Sequence, residues 1–206
     1  MGRAYELLYE SLKPRLAGCD LENCAARAGL PAPLEGVIHL DFLGRPYRIS
    51  RKGVEKGDGR PDNINSRSLL IHYLLSEGEA ELSGDFVTMA QLTGMVPSRN
   101  QHDNFFAKKV VSVFADGPRK LAEAAGLLKG RPEECPRPGE HHWFFQLLPK
   151  IPFKLFYYEA DEEYPADIKY FFDRSAIKIL EYECLAFLIG CFNYELTSAV
   201  RSPQVF

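Results

Sequence analysis

Apolar residues recur every three or four positions at the start of the chain and every second position further on. Tyr5, Leu8, Leu12 and Leu16 share one face of a helix predicted over residues 4–17, with Pro14 expected to end or kink it. Asp20 can cap a second helix over residues 21–28 through its carboxylate, and Gly29 followed by Pro31 supplies the stop. From Gly36 the period becomes two. Ile38, Leu40 and Phe42 alternate with His39 and Asp41, and after the turn Leu43-Gly44-Arg45 the alternation resumes at Tyr47 and Ile49, which predicts a β-hairpin. Pro46 has no amide hydrogen to donate and is expected at a sheet edge. Residues 52–65 hold three glycines and several charges without periodicity and read as an exposed loop, ahead of a helix that buries Leu70, Tyr73 and Leu74.

The second half repeats the contrast. Residues 84–88 allow a short strand. Phe106, Val110, Val113 and Phe114 mark a helix over residues 102–115, and Pro118 opens another, with Leu121, Ala125 and Leu128 inward and Gly130 at its end. Pro132, Pro136 and Pro138 lie among charges in residues 131–140, which read as an extended solvent loop or flexible connector. Residues 143–148, 153–158 and 168–172 are apolar runs of strand length, and Ser175 is placed to cap a final helix over residues 177–196, apolar on most sides and expected to pack on the sheet. Short, hairpin-like connections between the strands predict an α+β fold with a mainly antiparallel sheet: an early hairpin plus three C-terminal strands packed against helices. At 206 residues, one domain can bury roughly 70% of its unfolded surface, so neither a metal nor a disulfide is needed for stability.

Composition narrows the partners. Lys plus Arg number 25 against 28 Asp plus Glu, and the net charge of −3 lacks the electrostatic attraction that dominates nucleic-acid affinity. The most apolar window, residues 184–192, is far short of the about 20 residues a membrane span needs, so it reads as a buried helix. No apolar stretch follows the basic residue near the N-terminus, which predicts a cytoplasmic protein, and five cysteines in such a chain are expected to be reduced. A small molecule or another protein is left as the partner, and no cofactor follows from these residues.

The run Leu148-Pro149-Lys150-Ile151-Pro152, then Asp161-Glu162-Glu163-Tyr164-Pro165-Ala166, then Phe171-Phe172-Asp173-Arg174-Ser175-Ala176, resembles an uncharacterised domain family of anaerobic prokaryotes. In that family the corresponding stretch reads Leu-Pro-x-x-Pro, Asp-Glu-Glu-Phe-Pro and Leu-Phe-Asp-x-Ser-Ala, followed by a Leu-rich helix. Tyr164 stands where the family has Phe. The resemblance implies an association with anaerobic iron-sulfur or corrinoid metabolism and no particular reaction. Some relatives look to carry a cysteine-rich module, whereas this sequence has no closely spaced run of four cysteines.

Two groups carry candidate chemistry. Asp161, Glu162 and Glu163 put three carboxylates in one turn, where a cation, a basic side chain of a partner or a general acid-base step can use them. The plainer reading is a solvated turn that keeps an aromatic strand from aggregating. Lys150 and Asp173 join this group if adjacent strands bring them together. Cys135, His141 and His142 are of the types that ligate zinc, but on a regular strand the two histidines face opposite ways, and both can reach one ion only if the backbone is irregular. Cys19 and Cys24 form a lone pair without a second pair, and Cys184 and Cys191 read as small core residues two turns apart. Arg99 with His102 and Asp103 could gather an anion near a helix start. Phosphate-loop, dinucleotide, Gly-x-Ser-x-Gly and HExxH patterns are absent from the sequence. Two functions follow: a cytoplasmic binding or accessory protein, linked by resemblance to anaerobic redox, metal or corrinoid metabolism, or an enzyme, metal-assisted or not, working at Asp161, Glu162 and Glu163.

Overall fold

A computed structural model of the chain describes residues 2–58, 64–94, 102–115, 117–135 and 137–201. Two helices open it, α1 (Gly2–Gly18) and α2 (Leu21–Ala28). Pro14 lies inside α1, and the helix continues one turn beyond it. Asp20 caps α2 as expected, accepting a hydrogen bond from the Asn23 amide, and Gly29 ends it in the left-handed conformation (φ 69°) that glycine adopts without strain.

The hairpin follows as β1 (Val37–Phe42) and β2 (Arg45–Ser50), joined by Leu43 and Gly44, both at positive φ. The expected loop then supplies a third strand, β3 (Gly53–Lys56), so the order is β1-β2-β3, all antiparallel. Pro46 is consequently in the central strand and not at an edge. It is tolerated near the strand's start because the contact made there is through its carbonyl, which accepts from the Gly57 amide at 2.8 Å. The Tyr9 hydroxyl ties α1 to β3 by accepting from the Val54 amide at 2.9 Å.

Next come α3 (Ile64–Leu74), β4 (Phe86–Val87), the single turn α4 (Met89–Leu92), α5 (His102–Val113) and α6 (Pro118–Leu127). The Tyr73 hydroxyl on α3 donates to the Ala28 carbonyl at 2.7 Å and accepts from the Lys150 amide at 3.0 Å. Burial pushes its pKa up to about 12, so it stays a neutral donor.

The C-terminal half is a five-stranded antiparallel sheet in the order β4-β8-β7-β6-β5, built from β5 (Arg131–Glu133), β6 (Glu140–Leu148), β7 (Ile151–Tyr158) and β8 (Asp167–Asp173) beside β4. The start of the expected connector is thus an edge strand, with Pro132 opposite Trp143 where no inner ladder needs its missing amide. Two helices close the chain, α7 (Ala176–Ile179) and α8 (Tyr182–Arg201). One continuous final helix was expected. The break falls at Leu180, whose backbone is extended, and Ser175 makes no side-chain cap because its hydroxyl donates to Asp173 at 2.6 Å.

Alternation along β6, β7 and β8 points Phe145, Phe153, Leu155, Tyr170 and Phe172 to the helix side, where all are buried. Phe192 of α8 packs edge-on against Phe145 and Phe153 at 4.8 and 5.0 Å between ring centres, and the Tyr170 hydroxyl donates to Asn193 at 2.8 Å. Glu195 of α8 accepts from Arg45 at 3.0 Å and lies 3.8 Å from Lys56, joining the small sheet to the same helix. Apart from Val87 of β4, the buried apolar residues of both sheets form one cluster. The predicted α+β class with antiparallel sheets is what the chain adopts. No helix among the described residues is long and apolar enough to cross a membrane. Arg99 lies outside the described residues.

Candidate functional site

One end of the five-stranded sheet gathers the start of β6, the end of β7 and the start of β8. Between this end and α5 lies a cleft of about 1040 Å³. Lys108, Val111 and Ser112 of α5 form one wall, and Glu140, Tyr158, Asp167 and Lys169 of the sheet form the other. The turn after β7 contributes Glu159, Asp161 and Tyr164 to the rim. Register explains the grouping: Glu140 is opposite Tyr158, and Tyr158 is opposite Asp167, so three successive strands deliver their end residues to one place. The end is acidic. Burial first, then the negative charges of Glu140 and Asp167 nearby, raises the Tyr158 pKa above that of a free tyrosine.

The three carboxylates of the acidic turn part company. Asp161 accepts from the amides of Glu163 and Tyr164 at 2.8 and 2.7 Å, closing the turn on itself, while its own amide donates to the Tyr164 carbonyl. Glu162 and Glu163 are exposed, and neither lines the cleft. Lys150 is in the β6–β7 turn at the opposite end of β7, eight residues or roughly 26 Å away at about 3.3 Å per residue. Asp173, at that same far end, is buried and fully engaged: Ser83 and Ser175 each donate an amide and a hydroxyl, and Gly84 donates its amide at 2.7 Å. Burial alone would raise its pKa, but the bonds from Ser175 and Ser83 outweigh it and bring the carboxyl down to about 2. Asp173 therefore braces the entry to α7 against the residues before β4. Neither Lys150 nor Asp173 meets the acidic turn.

The histidines behave as strand periodicity requires. His141 turns to the helix side, next to Trp143 and Tyr157, and its Nε2 is 2.6 Å from Glu159. His142 turns to the other face and stacks on Phe156, with ring centres 3.5 Å apart and planes within 9°. There it meets Cys135, which lies two residues beyond Glu133, the residue paired with His142, and so beside Glu140, itself two residues earlier than His142 on the same face. Ligand atoms of Cys135, Glu140 and His142 all lie within 4.8 Å of one another, and all three residues are half-buried. The Cys135 thiol is 3.8 Å from Glu140 Oε2, and His142 Nε2 is 3.5 Å from the same oxygen. The structure thus keeps Cys135 and His142 together, removes His141 and adds Glu140. The spacing Glu140-x-His142 is the signal in the sequence, since on a strand it puts both side chains on one face, whereas the adjacent His141 necessarily faces the other way.

The other cysteines separate. Cys19 and Cys24 are neighbours around the start of α2, with burial and the Cys24 thiol raising the Cys19 pKa, while Cys184 and Cys191 are buried in α8, where burial pushes each thiol up to about 11. His39 is exposed on β1.

No curated protein and no solved structure matches the chain. The sequence profile of a domain of unknown function, DUF3786, matches residues 20–194, a span that takes in both sheets, the acidic turn and the Cys135, Glu140 and His142 group. The chain belongs to the DUF3786 family.

Proposed function

We propose that the chain is a cytoplasmic binding or accessory protein of anaerobic redox, metal or corrinoid metabolism, with a small-molecule ligand seated in the cleft beside α5. The cleft carries this reading. Its walls combine an apolar surface, from Val111, Tyr158 and Pro165, with Glu140, Glu159, Asp161 and Asp167 against only Lys108 and Lys169. An apolar body bearing a positive group suits that lining. The metabolic setting rests on the family resemblance, and the net charge of −3 disfavours nucleic acid as the partner.

A carboxylate enzyme is the weaker reading because general acid-base work needs a carboxylate free to exchange a proton with the substrate. Asp161 is held by its own turn amides, Glu159 by His141, and Glu162 and Glu163 lie outside the cleft. The test is native mass spectrometry of the full chain, purified without oxygen from an anaerobic host. A bound small molecule is expected, lost when Val111→Trp fills the cleft at unchanged thermal stability. Retention of that molecule by Val111→Trp, or a protein free of any ligand, overturns the proposal.

A further inference from the structure

We propose that Cys135, Glu140 and His142 bind one divalent transition-metal ion of the zinc class and leave a fourth coordination position open. A tetrahedral zinc ion takes sulfur at about 2.3 Å and nitrogen or oxygen at about 2.0–2.2 Å, so its ligand atoms stand roughly 3.3–3.6 Å from one another. The thiol to Glu140 and Glu140 to His142 separations, 3.8 and 3.5 Å, are already close to that spacing. The thiol and the imidazole nitrogen lie within 4.8 Å of each other, so side-chain movement of about an ångström or less brings the three atoms around one ion.

The surroundings hold each ligand in place. Phe156 fixes the plane of the His142 imidazole by stacking, and Nε2 of that ring is shielded from solvent and has no hydrogen-bond partner. A buried ring nitrogen that makes no hydrogen bond is costly, and an ion at this point satisfies it. On Glu140 the two oxygens divide the work: Oε1 faces the Arg137 guanidinium at 3.5 Å, and Oε2 faces the thiol and the imidazole. Arg137 thus acts as an outer partner that sets which oxygen is offered.

Ligand chemistry selects the ion. A thiolate and an imidazole disfavour magnesium and calcium, which require oxygen donors, and favour zinc, cobalt or ferrous iron. Three protein ligands are one short of a closed structural site, so water or a ligand atom from the adjoining cleft completes the shell. Glu140 and Tyr158 line that cleft, and Glu140 is shared between the two. The metal proposal does not depend on the cleft ligand: Val111→Trp is expected to bind metal as the unaltered chain does.

The test is anaerobic titration of the full chain with cobalt(II), a spectroscopic stand-in for zinc. One equivalent should produce a thiolate-to-cobalt charge-transfer band in the near ultraviolet and intense tetrahedral bands in the visible, all bleached by zinc. Cys135→Ser should abolish the charge-transfer band, and His142→Gln or Glu140→Gln should each weaken binding by more than about 100-fold, the upper end of what losing an outer partner costs. The double variant Cys19→Ser with Cys24→Ser should keep the full spectrum. Absence of the band at one equivalent, its survival in Cys135→Ser, or its loss in the Cys19 and Cys24 variant overturns the proposal. X-ray absorption of the zinc-loaded, unaltered chain gives a check that needs no variant, with a single sulfur expected among the ligands; two or more sulfurs, or none, also overturn it.

Discussion

The two faces of β6, β7 and β8 are built from the same aromatic runs and do different things. On the helix side, Phe145, Phe153, Tyr170 and Phe172 are buried against Phe192, and ring packs on ring. On the other side, Phe144, Phe156, Phe171 and Tyr158 are only half-buried, and cations lie over rings. The Arg131 guanidinium is 4.8 Å from the centre of Phe144, Lys154 is 4.7 Å from that of Phe86, and Lys169 is 5.0 Å from that of Tyr158. Cation–π contact gives these rings a partner while leaving them next to water. The difference shows where chemistry has room: Glu140, His142, Tyr158 and Lys169 all lie on the second face, at or near its acidic end.

The sharpest way to break this comparison is to delete one ring from each face. Phe153→Ala removes a ring with no exposed surface, and a large-to-small change at such a site costs about 3–5 kcal/mol. Phe156→Ala, half-buried beside Phe171 and His142, should cost only about 1 kcal/mol, the worth of an aromatic contact. Urea denaturation of the two variants measures both. Equal losses would mean that the second face is as tightly packed as the first. Phe156→Ala should also loosen cobalt binding, by about tenfold, because the imidazole loses the plane it stacks on.

The next effect is a pH dependence. Asp173 has its folded-state pKa lowered, from 3.8 to about 2. A group of this kind contributes stability above its unfolded value and loses it as the pH falls through the folded value, so the loss should run between about pH 4 and pH 2 and amount to about 2 kcal/mol. Denaturant midpoints across that range should fall more steeply for the unaltered chain than for Asp173→Asn. Parallel curves would show that the Ser83 and Ser175 bonds do not set this carboxylate's ionisation.

Elements with strong local signals were legible in the sequence. Asp20 and Gly29 delimit α2 through their capping and backbone chemistry, alternation identified β1 and β2, and apolar runs of strand length marked the three long C-terminal strands. What was hidden depends on partners outside the segment itself. Residues 53–56 and 131–133 carry charges, Gly or Pro and no apolar rhythm, and become strands because β2 and β6 offer unpaired edges. Ser175 has the right residue type for a cap, but the choice between capping and bonding to Asp173 is made by the brace around Ser83. The site was half legible for the same reason. Cys135 and His142 were recognisable as ligand types, but the role of Glu140 appears only when β5 pairs with β6 and brings the thiol beside it. Lys150 and Asp173, adjacent to the acidic turn in motif, are separated from it by the length of β7.

The smallest expected effect tests whether the acidic turn works as one unit. Asp161 holds two amides of its own turn, an arrangement like a helix cap, so Asp161→Ala should cost about 1 kcal/mol and speed amide hydrogen exchange at Glu163 and Tyr164. Glu162→Gln and Glu163→Gln remove charges from exposed side chains and should stay within about 0.5 kcal/mol of the unaltered chain. Three equivalent carboxylates would respond alike. The predicted split makes Asp161 the residue that shapes the rim of the cleft and leaves the two glutamates as its solvated flank. Whatever enters the cleft then meets an ordered edge even though the turn is exposed.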